Sequence, residues 1–241
     1  MSEIISGRNP VFEALKSGKT INKILISSQA HGEIIKDIIK LAKERKVPVH
    51  HVPPEKIESV LPENSQGIVA EISASEYLDI HTLIEKVKPE SKPLIVVLDN
   101  IEDPHNLGAI IRNAVAFGAN GIVIGKWHSA NLTETVSRTS AGAVQHIPVA
   151  RVSNIADSLL TLKKAGFWVA GAENDNKSIS EIEFLFPLVL VVGSEGQGLR
   201  HLIKERCDML ITIPQAKTIS SLNASCAAAV ILYEISKSRD K

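Results

Sequence analysis

An α/β fold with a mainly parallel sheet covered by helices on both faces, joined to a smaller α/β unit, is predicted by three features. The runs LIVVL at 94–98 and LVLVV at 188–192 are apolar at every position, the pattern of strands buried on both faces. From residue 93 onward such runs alternate with helical stretches, as in a sheet whose strands are joined by crossover helices. Between this region and the first 72 residues lies a polar stretch, 73–92, with Pro89 near its end and Pro93 directly after it. Its composition is that of a linker. Three segments follow: 1–72, a linker over 73–92, and 93–241.

In the first segment a helix is expected over 10–16, with Asn9 as N-cap and Pro10 at the first helical position. A strand over 22–27 follows, then an amphipathic helix over 32–46. Ile34, Ile35, Ile38, Ile39, Leu41 and Ala42 fall on one face of that helix, and Lys36, Lys40 and Lys43 on the other. A strand over 47–52, a helix over 53–61 and a strand over 66–72 complete the unit. One short helix is expected within the linker, around 80–88.

In the last segment strands are expected at 94–98, 121–124, 145–149, 167–170, 188–192 and 210–213. Helices are expected at 106–117, 133–140 and 155–165, in a short piece after Gly198, and from Asn223 onward. Gly118 and Gly166 close two of them. The final helix, containing ASCAAAVILY, is apolar all round, so burial in a core or against a second subunit is expected.

Composition narrows the function only a little. Lys+Arg and Asp+Glu are both 27, so net charge is zero and any basic surface must be local. Cys207 and Cys226 lack C-x-x-C spacing. Free thiols in a reducing cytosol account for them, and no metal site is expected. The opening MSEIISGRNP has no basic-then-apolar signal pattern, and no apolar run reaches membrane-spanning length. A cytoplasmic protein without membrane partners is expected.

Three stretches can carry chemistry. In DPHNLGAIIRN, 103–113, helix capping accounts for Asp103 and Pro104 but not for Arg112. Arg112 stands six residues after Asn106, nearly two turns, which puts both on roughly the same side of the helix. Among Ile110, Ile111, Ala114 and Val115, an arginine calls for an anionic partner. In GSEGQG, Gly193, Gly196 and Gly198 follow a strand, the usual place for a ligand turn. Their order is not the dinucleotide G-x-G-x-x-G, and Glu195 would repel a pyrophosphate. An oxidoreductase is disfavoured on that ground. A cationic ligand, or one without phosphate, suits Glu195 better; glycines serving turn geometry alone are the plain alternative. In IPQAKTISSLNAS, Ser221, Asn223 and Ser225 crowd a helix start, where capping needs only one of them. Spare polar groups there can line an adenosine or carboxylate pocket.

Taken in order, NLGAIIR, VVGSEGQGL and IPQAKTISSLNAS closely resemble the three signature motifs of the SpoU/TrmH family. These are S-adenosylmethionine-dependent RNA ribose 2′-O-methyltransferases of the SPOUT superfamily. SGRNPVFEAL and the unit after it are similar to the RNA-binding domain of the rRNA guanosine-2′-O-methyltransferase subgroup, a fold also resembling some large-subunit ribosomal proteins. The resemblance implies a C-terminal trefoil knot and a homodimer. It implies S-adenosylmethionine held by backbone groups around Gly193, Ile213 and Leu222, with Glu195, Gly196, Gln215 and Asn223 beside it. Asn106, Arg112, Glu195, Ser221 and Asn223 are the implied catalytic set, and a guanosine of 23S rRNA the implied target. Since an arginine stays protonated, Arg112 is expected to clamp phosphate or the developing 2′-alkoxide. Arg8, Asn9, Lys36, Lys40 and Lys43 are expected to meet RNA, which the 2′-hydroxyl distinguishes from DNA. A tRNA ribose methyltransferase and a non-catalytic RNA-binding assembly factor are the alternatives. The second would not need Arg112, Glu195 and Asn223 together.

Overall fold

The computed structural model describes residues 4–60, 65–216 and 221–239. The chain divides into two compact units, Met1–Glu76 with Asn131–Thr135, and Tyr77–Ala130 with Val136–Lys241.

The smaller unit is a four-stranded mixed sheet with helices. Its strands are β1 (Ile4–Ser6), β2 (Ile21–Ser27), β3 (Val49–Val52) and β4 (Ile68–Ile72), in the order β1-β4-β2-β3. β1 and β2 run antiparallel to β4, and β3 runs parallel to β2. The helices are α1 (Arg8–Lys16), α2 (Glu33–Glu44) and α3 (Pro54–Val60). Val11, Ala14 and Leu15 of α1 and Ile35, Ile38 and Ala42 of α2 pack on Ile24, Ile26, Ile68 and Ala70. Alternate residues of the strands thus meet the apolar stripes of the helices.

Two expectations change here. The three residues of β1 carry no usable periodicity and become a strand only by pairing with β4. Helix α1 begins at Arg8, so Asn9 lies inside it and does not cap it. Gly7, at φ 91°, occupies the cap position without a side-chain bond. The free amide of Arg8 is instead met by Gln66 Oε1 at 3.1 Å. Pro10 stays within the first turn, where no N–H is needed.

The larger unit is a seven-stranded sheet, every strand pair parallel. Its strands are β5 (Tyr77–Leu78), β6 (Leu94–Leu98), β7 (Gly121–Gly125), β8 (Val149–Val152), β9 (Trp168–Ser178), β10 (Leu188–Val192) and β11 (Met209–Thr212). They lie in the order β11-β9-β10-β6-β7-β8-β5. The helices are α4 (Ile80–Val87), α5 (Pro104–Ala116), α6 (Glu134–Thr139), α7 (Ile155–Lys164), α8 (His201–Arg206) and α9 (Ala224–Arg239), with one-turn 3-10 helices at Ala143–Gln145 and Ile179–Glu181. α4, α7 and α8 cover one face, packing on Ile95, Val97, Val123, Val189 and Val191. The alternate residues Val96, Leu98, Ile122, Leu190 and Val192 are buried too. That opposite face belongs to α5 and α9, which pack on each other. Gly108 of α5 lets α6 approach closely, since a Cβ there would lie 2.7 Å from Thr139 Cβ.

Residues 77–92, expected within the linker, belong to this unit. β5 is the sheet's edge strand beside β8, and Leu83, Ile84 and Val87 of α4 are buried. The polar composition that reads as a linker is the outward face of α4, capped by Asp79. The strand expected at 145–149 lies later, at Val149–Val152, after a 3-10 turn, and β9 runs well beyond the four residues expected. Nor is α9 buried all round: Ala224, Ala228, Ile231, Leu232 and Ile235 are buried, whereas Tyr233 and Val230 are 51% and 40% exposed.

Candidate functional site

The site forms at the C-terminal edge of the parallel sheet, where β10 sits between β9 and β6. In open α/β sheets this edge collects ligand loops, because the strands end there and their connections diverge. Residues 193–198 fold tightly back on themselves, with Gly198 N donating to Ser194 O at 2.9 Å. A Cβ on Gly193 would lie 2.3 Å from the backbone C and O of Gly198. Gly196 and Gly198 take φ of 81° and 65°, which only glycine adopts without strain. All three glycines are therefore required by the loop's own geometry.

The far end of this loop is held by a buried carboxylate. Asp99, directly after β6, has no exposed surface. It accepts from Arg200 Nε at 2.8 Å, Arg200 Nη2 at 2.6 Å and the Arg200 backbone amide at 3.1 Å. A charged pair with several charge-assisted bonds is how a buried carboxylate is tolerated. Glu173, midway along β9, pairs with Lys204 of α8 at 2.7 Å. Its carboxylate lies 3.2–3.3 Å from where a Cβ on Gly198 would stand, so it supports the loop from the other side.

Asn223 joins the three motif loops. Its Nδ2 donates to Asn106 Oδ1 at 3.1 Å and to Glu195 Oε2 at 3.0 Å. Its Oδ1 accepts from the Ser225 amide at 2.9 Å and the Ser225 hydroxyl at 2.7 Å. Both amide hydrogens and the carbonyl oxygen are thereby used. One side chain caps α9 and ties it to the start of α5 and to the glycine loop. Asn106 is placed for this by the first turn of α5, which Asp103 caps through the His105 amide at 3.0 Å.

Beside this junction a cavity is lined by Gly193, Glu195, Ile213, Leu222 and Ala227, with Glu173 on its wall. Gly196, Gln215 and Ser221 also line it. Of the expected residues, Asn106, Gly193, Glu195, Gly196, Ile213, Gln215, Ser221, Leu222 and Asn223 are thus brought together. Part of the third motif, 217–220, lies outside the described residues. Among the described lining residues there are two carboxylates and no lysine or arginine. Glu173 is offset by Lys204, so it is chiefly Glu195 that repels a pyrophosphate here and favours a ligand carrying positive charge.

Arg112 is not part of this assembly. Its side chain is exposed, and it makes no hydrogen bond or ion pair to another described residue. The side of the helix that it was expected to share with Asn106 is not shared: six residues on a helix turn through about 600°, leaving Arg112 about 120° from Asn106. The apolar neighbours Ile110, Ile111 and Ala114 face the core while Arg112 faces out. On the smaller unit, Lys36, Lys40 and Lys43 are exposed along one side of α2, and Asn9 is exposed. Arg8 is more constrained than expected: its Nη1 donates to His31 O at 3.0 Å and its Nε to Gln66 O at 3.3 Å. Asp99, Glu173 and Arg200 were not among the expected residues. Asp99 had one signal, a carboxylate placed directly against a wholly apolar strand; the other two had none.

Residues 93–233 match the SpoU rRNA Methylase family, and residues 4–78 match the RNA 2′-O ribose methyltransferase substrate binding family. This chain belongs to the SpoU/TrmH family of RNA methyltransferases. A TrmH family tRNA/rRNA methyltransferase of Staphylococcus saprophyticus is 44% identical over 239 residues, covering 98% of this chain and 96% of that protein. Another so named, from Bacillus subtilis, is 39% identical over 240 residues, covering 99% and 96%. The crystal structure of an AdoMet-bound rRNA methyltransferase from Sinorhizobium meliloti is similar, with a TM-score of 0.62 at 28% identity, covering 98% of this chain and 87% of that one. Membership places the three motif loops in a methyltransferase and gives the geometry above a chemical context. No helix among the described residues is long and apolar enough to cross a membrane.

Proposed function

We propose that this protein transfers a methyl group from S-adenosylmethionine to a ribose 2′-hydroxyl of RNA, with a guanosine of 23S rRNA as target. The observation that carries this is the Asn223 junction beside a cavity walled by Glu173 and Glu195. The cofactor fits that wall: it is a sulfonium cation with no phosphate, and its activated methyl is what the reaction needs. Gly193, Ile213 and Leu222 would hold the adenosine through backbone groups, with Gly196 and Gln215 alongside. Glu195, Asn223, Asn106 and Ser221 would set the orientation of the reacting ribose. The bonds of Asn223 to Asn106 and Glu195 lower the cost of positioning, the main demand of an in-line transfer. Arg112, which bonds to no other described residue, would clamp the adjacent phosphate or the developing alkoxide.

The smaller unit would select the RNA through Lys36, Lys40 and Lys43, with Asn9 and the remaining donors of Arg8. A homodimer is part of the proposal, since α9 leaves Val230 and Tyr233 exposed and symmetric pairs are the commonest oligomers. So is a trefoil knot; the chain after β10 crosses to the far side of β9 to form β11, a crossing such a knot requires. A cytoplasmic location follows from the RNA target. The relatives' shared name covers both tRNA and rRNA, so the decisive experiment maps 2′-O-methyl groups in both pools, with and without the active protein. Loss of one rRNA guanosine methyl supports the proposal, and loss of a tRNA methyl instead corrects the target. Calorimetry showing tight NAD binding and no response to S-adenosylhomocysteine would overturn the chemistry.

A further inference from the structure

The loop after β7 places an exposed tryptophan on the same sheet edge as the cavity. Val192 pairs with Leu98, and Leu98 with Ile124, so the ends of β10, β6 and β7 form one row. With about 4.8 Å between neighbouring strands, the β7 end lies about 10 Å from the Gly193 turn. Residues 126–130 leave that row and are held at both ends. Lys126 N donates to Val152 O at 2.8 Å, and Ala130 N donates to Ile101 O at 2.8 Å. A Cβ on Gly125 would stand 3.0 Å from Trp127 O, so the turn is tight from its first residue. Despite this anchoring Trp127 is 53% exposed, and the Lys126 ammonium sits 5.3 Å from its ring centroid.

A fixed, water-facing aromatic ring with a cation beside it matches a nucleobase and its phosphate, since any base can stack on the ring while the ammonium meets the backbone. We infer that Trp127 and Lys126 form a stacking platform for single-stranded RNA, holding the base next to the nucleotide whose ribose enters the site. This rests on the proposed methyltransferase function and adds an RNA contact on the catalytic unit to those of the smaller unit.

The chain has two tryptophans, so full-length Trp168→Phe leaves Trp127 as the only one. The probe is a mixed-sequence single-stranded oligoribonucleotide of about 12 nucleotides, with S-adenosylhomocysteine present. Saturating RNA should quench Trp127 emission, whereas inorganic polyphosphate of equal charge should not. Trp127→Ala should weaken RNA binding about 5- to 150-fold, Trp127→Phe should restore most of it, and S-adenosylhomocysteine affinity should not change. Unchanged emission at saturating RNA, or Trp127→Ala binding RNA like the parent, overturns the platform while leaving the methyltransferase proposal intact. If Trp127→Ala instead shifts the oligomeric state in sedimentation, the ring faces a second copy and the platform is equally overturned. Failure of the parent to bind S-adenosylhomocysteine sinks the functional proposal itself and is seen before any RNA is added.

Discussion

Removing Arg200 should destabilise the protein more than removing the charge of Asp99. The asymmetry follows from burial: Asp99 has no exposed surface, whereas the Arg200 side chain is 50% exposed. In Arg200→Ala the carboxylate stays in the core, losing the bonds at 2.8 and 2.6 Å and keeping only the backbone amide at 3.1 Å. Breaking a buried pair in this way costs about 3–5 kcal/mol. In Asp99→Asn the guanidinium can turn to water, and the cost is that of weakened charge-assisted bonds, about 1.5–3 kcal/mol. The double variant should recover part of the Arg200→Ala loss, because the stranded charge is gone. Urea unfolding of the three variants gives the free energies, and calorimetry with S-adenosylhomocysteine reports the loop. Both single variants should bind it more weakly, since Arg200 fixes the end of the 193–198 turn. If Arg200→Ala is no less stable than Asp99→Asn, the pair is not what holds the loop and the burial argument fails.

Arg112→Ala should lower single-turnover methylation about 10²- to 10³-fold and leave cofactor affinity unchanged, with Arg112→Lys a poor rescue; parent-like turnover would remove Arg112 from the reaction. Gly193→Ala should fold but bind S-adenosylhomocysteine at least about tenfold more weakly, because its methyl collides with the Gly198 backbone at 2.3 Å; unaltered affinity would mean the loop opens at no cost. Cys207, whose thiol is pushed up to about 12 by burial and then by the charge of Asp208, should stay protonated at pH 8. It should resist iodoacetamide while exposed Cys226 reacts, as read by mass spectrometry. Cys207 should label in urea, where its thiol returns to its ordinary, lower range; equal labelling of both in the folded protein would contradict its burial.

What the amino-acid sequence determined by itself is whatever short-range chemistry encodes. A strand buried on both faces must be apolar at every position, so 94–98 and 188–192 are legible as β6 and β10 without a structure. The amphipathic stripe of α2 is legible for the same reason, and the three ordered motifs identify the chemistry. Only the tertiary structure decided which groups meet. Ser221, Asn223 and Ser225 are equivalent as capping residues in the sequence, yet Asn223 alone reaches both Asn106, 117 residues away, and Glu195, 28 residues away. Asp99 and Arg200 stand 101 residues apart, and no local spacing announces their pairing. β1 and β5 have three and two residues, too few to show a period, and exist because a neighbouring strand supplies their hydrogen bonds. Arg112 went the other way: its apolar neighbours in sequence read as apolar surroundings, but a helix divides adjacent residues between core and water. The sheet's core side took Ile110, Ile111 and Ala114 and left the arginine outside.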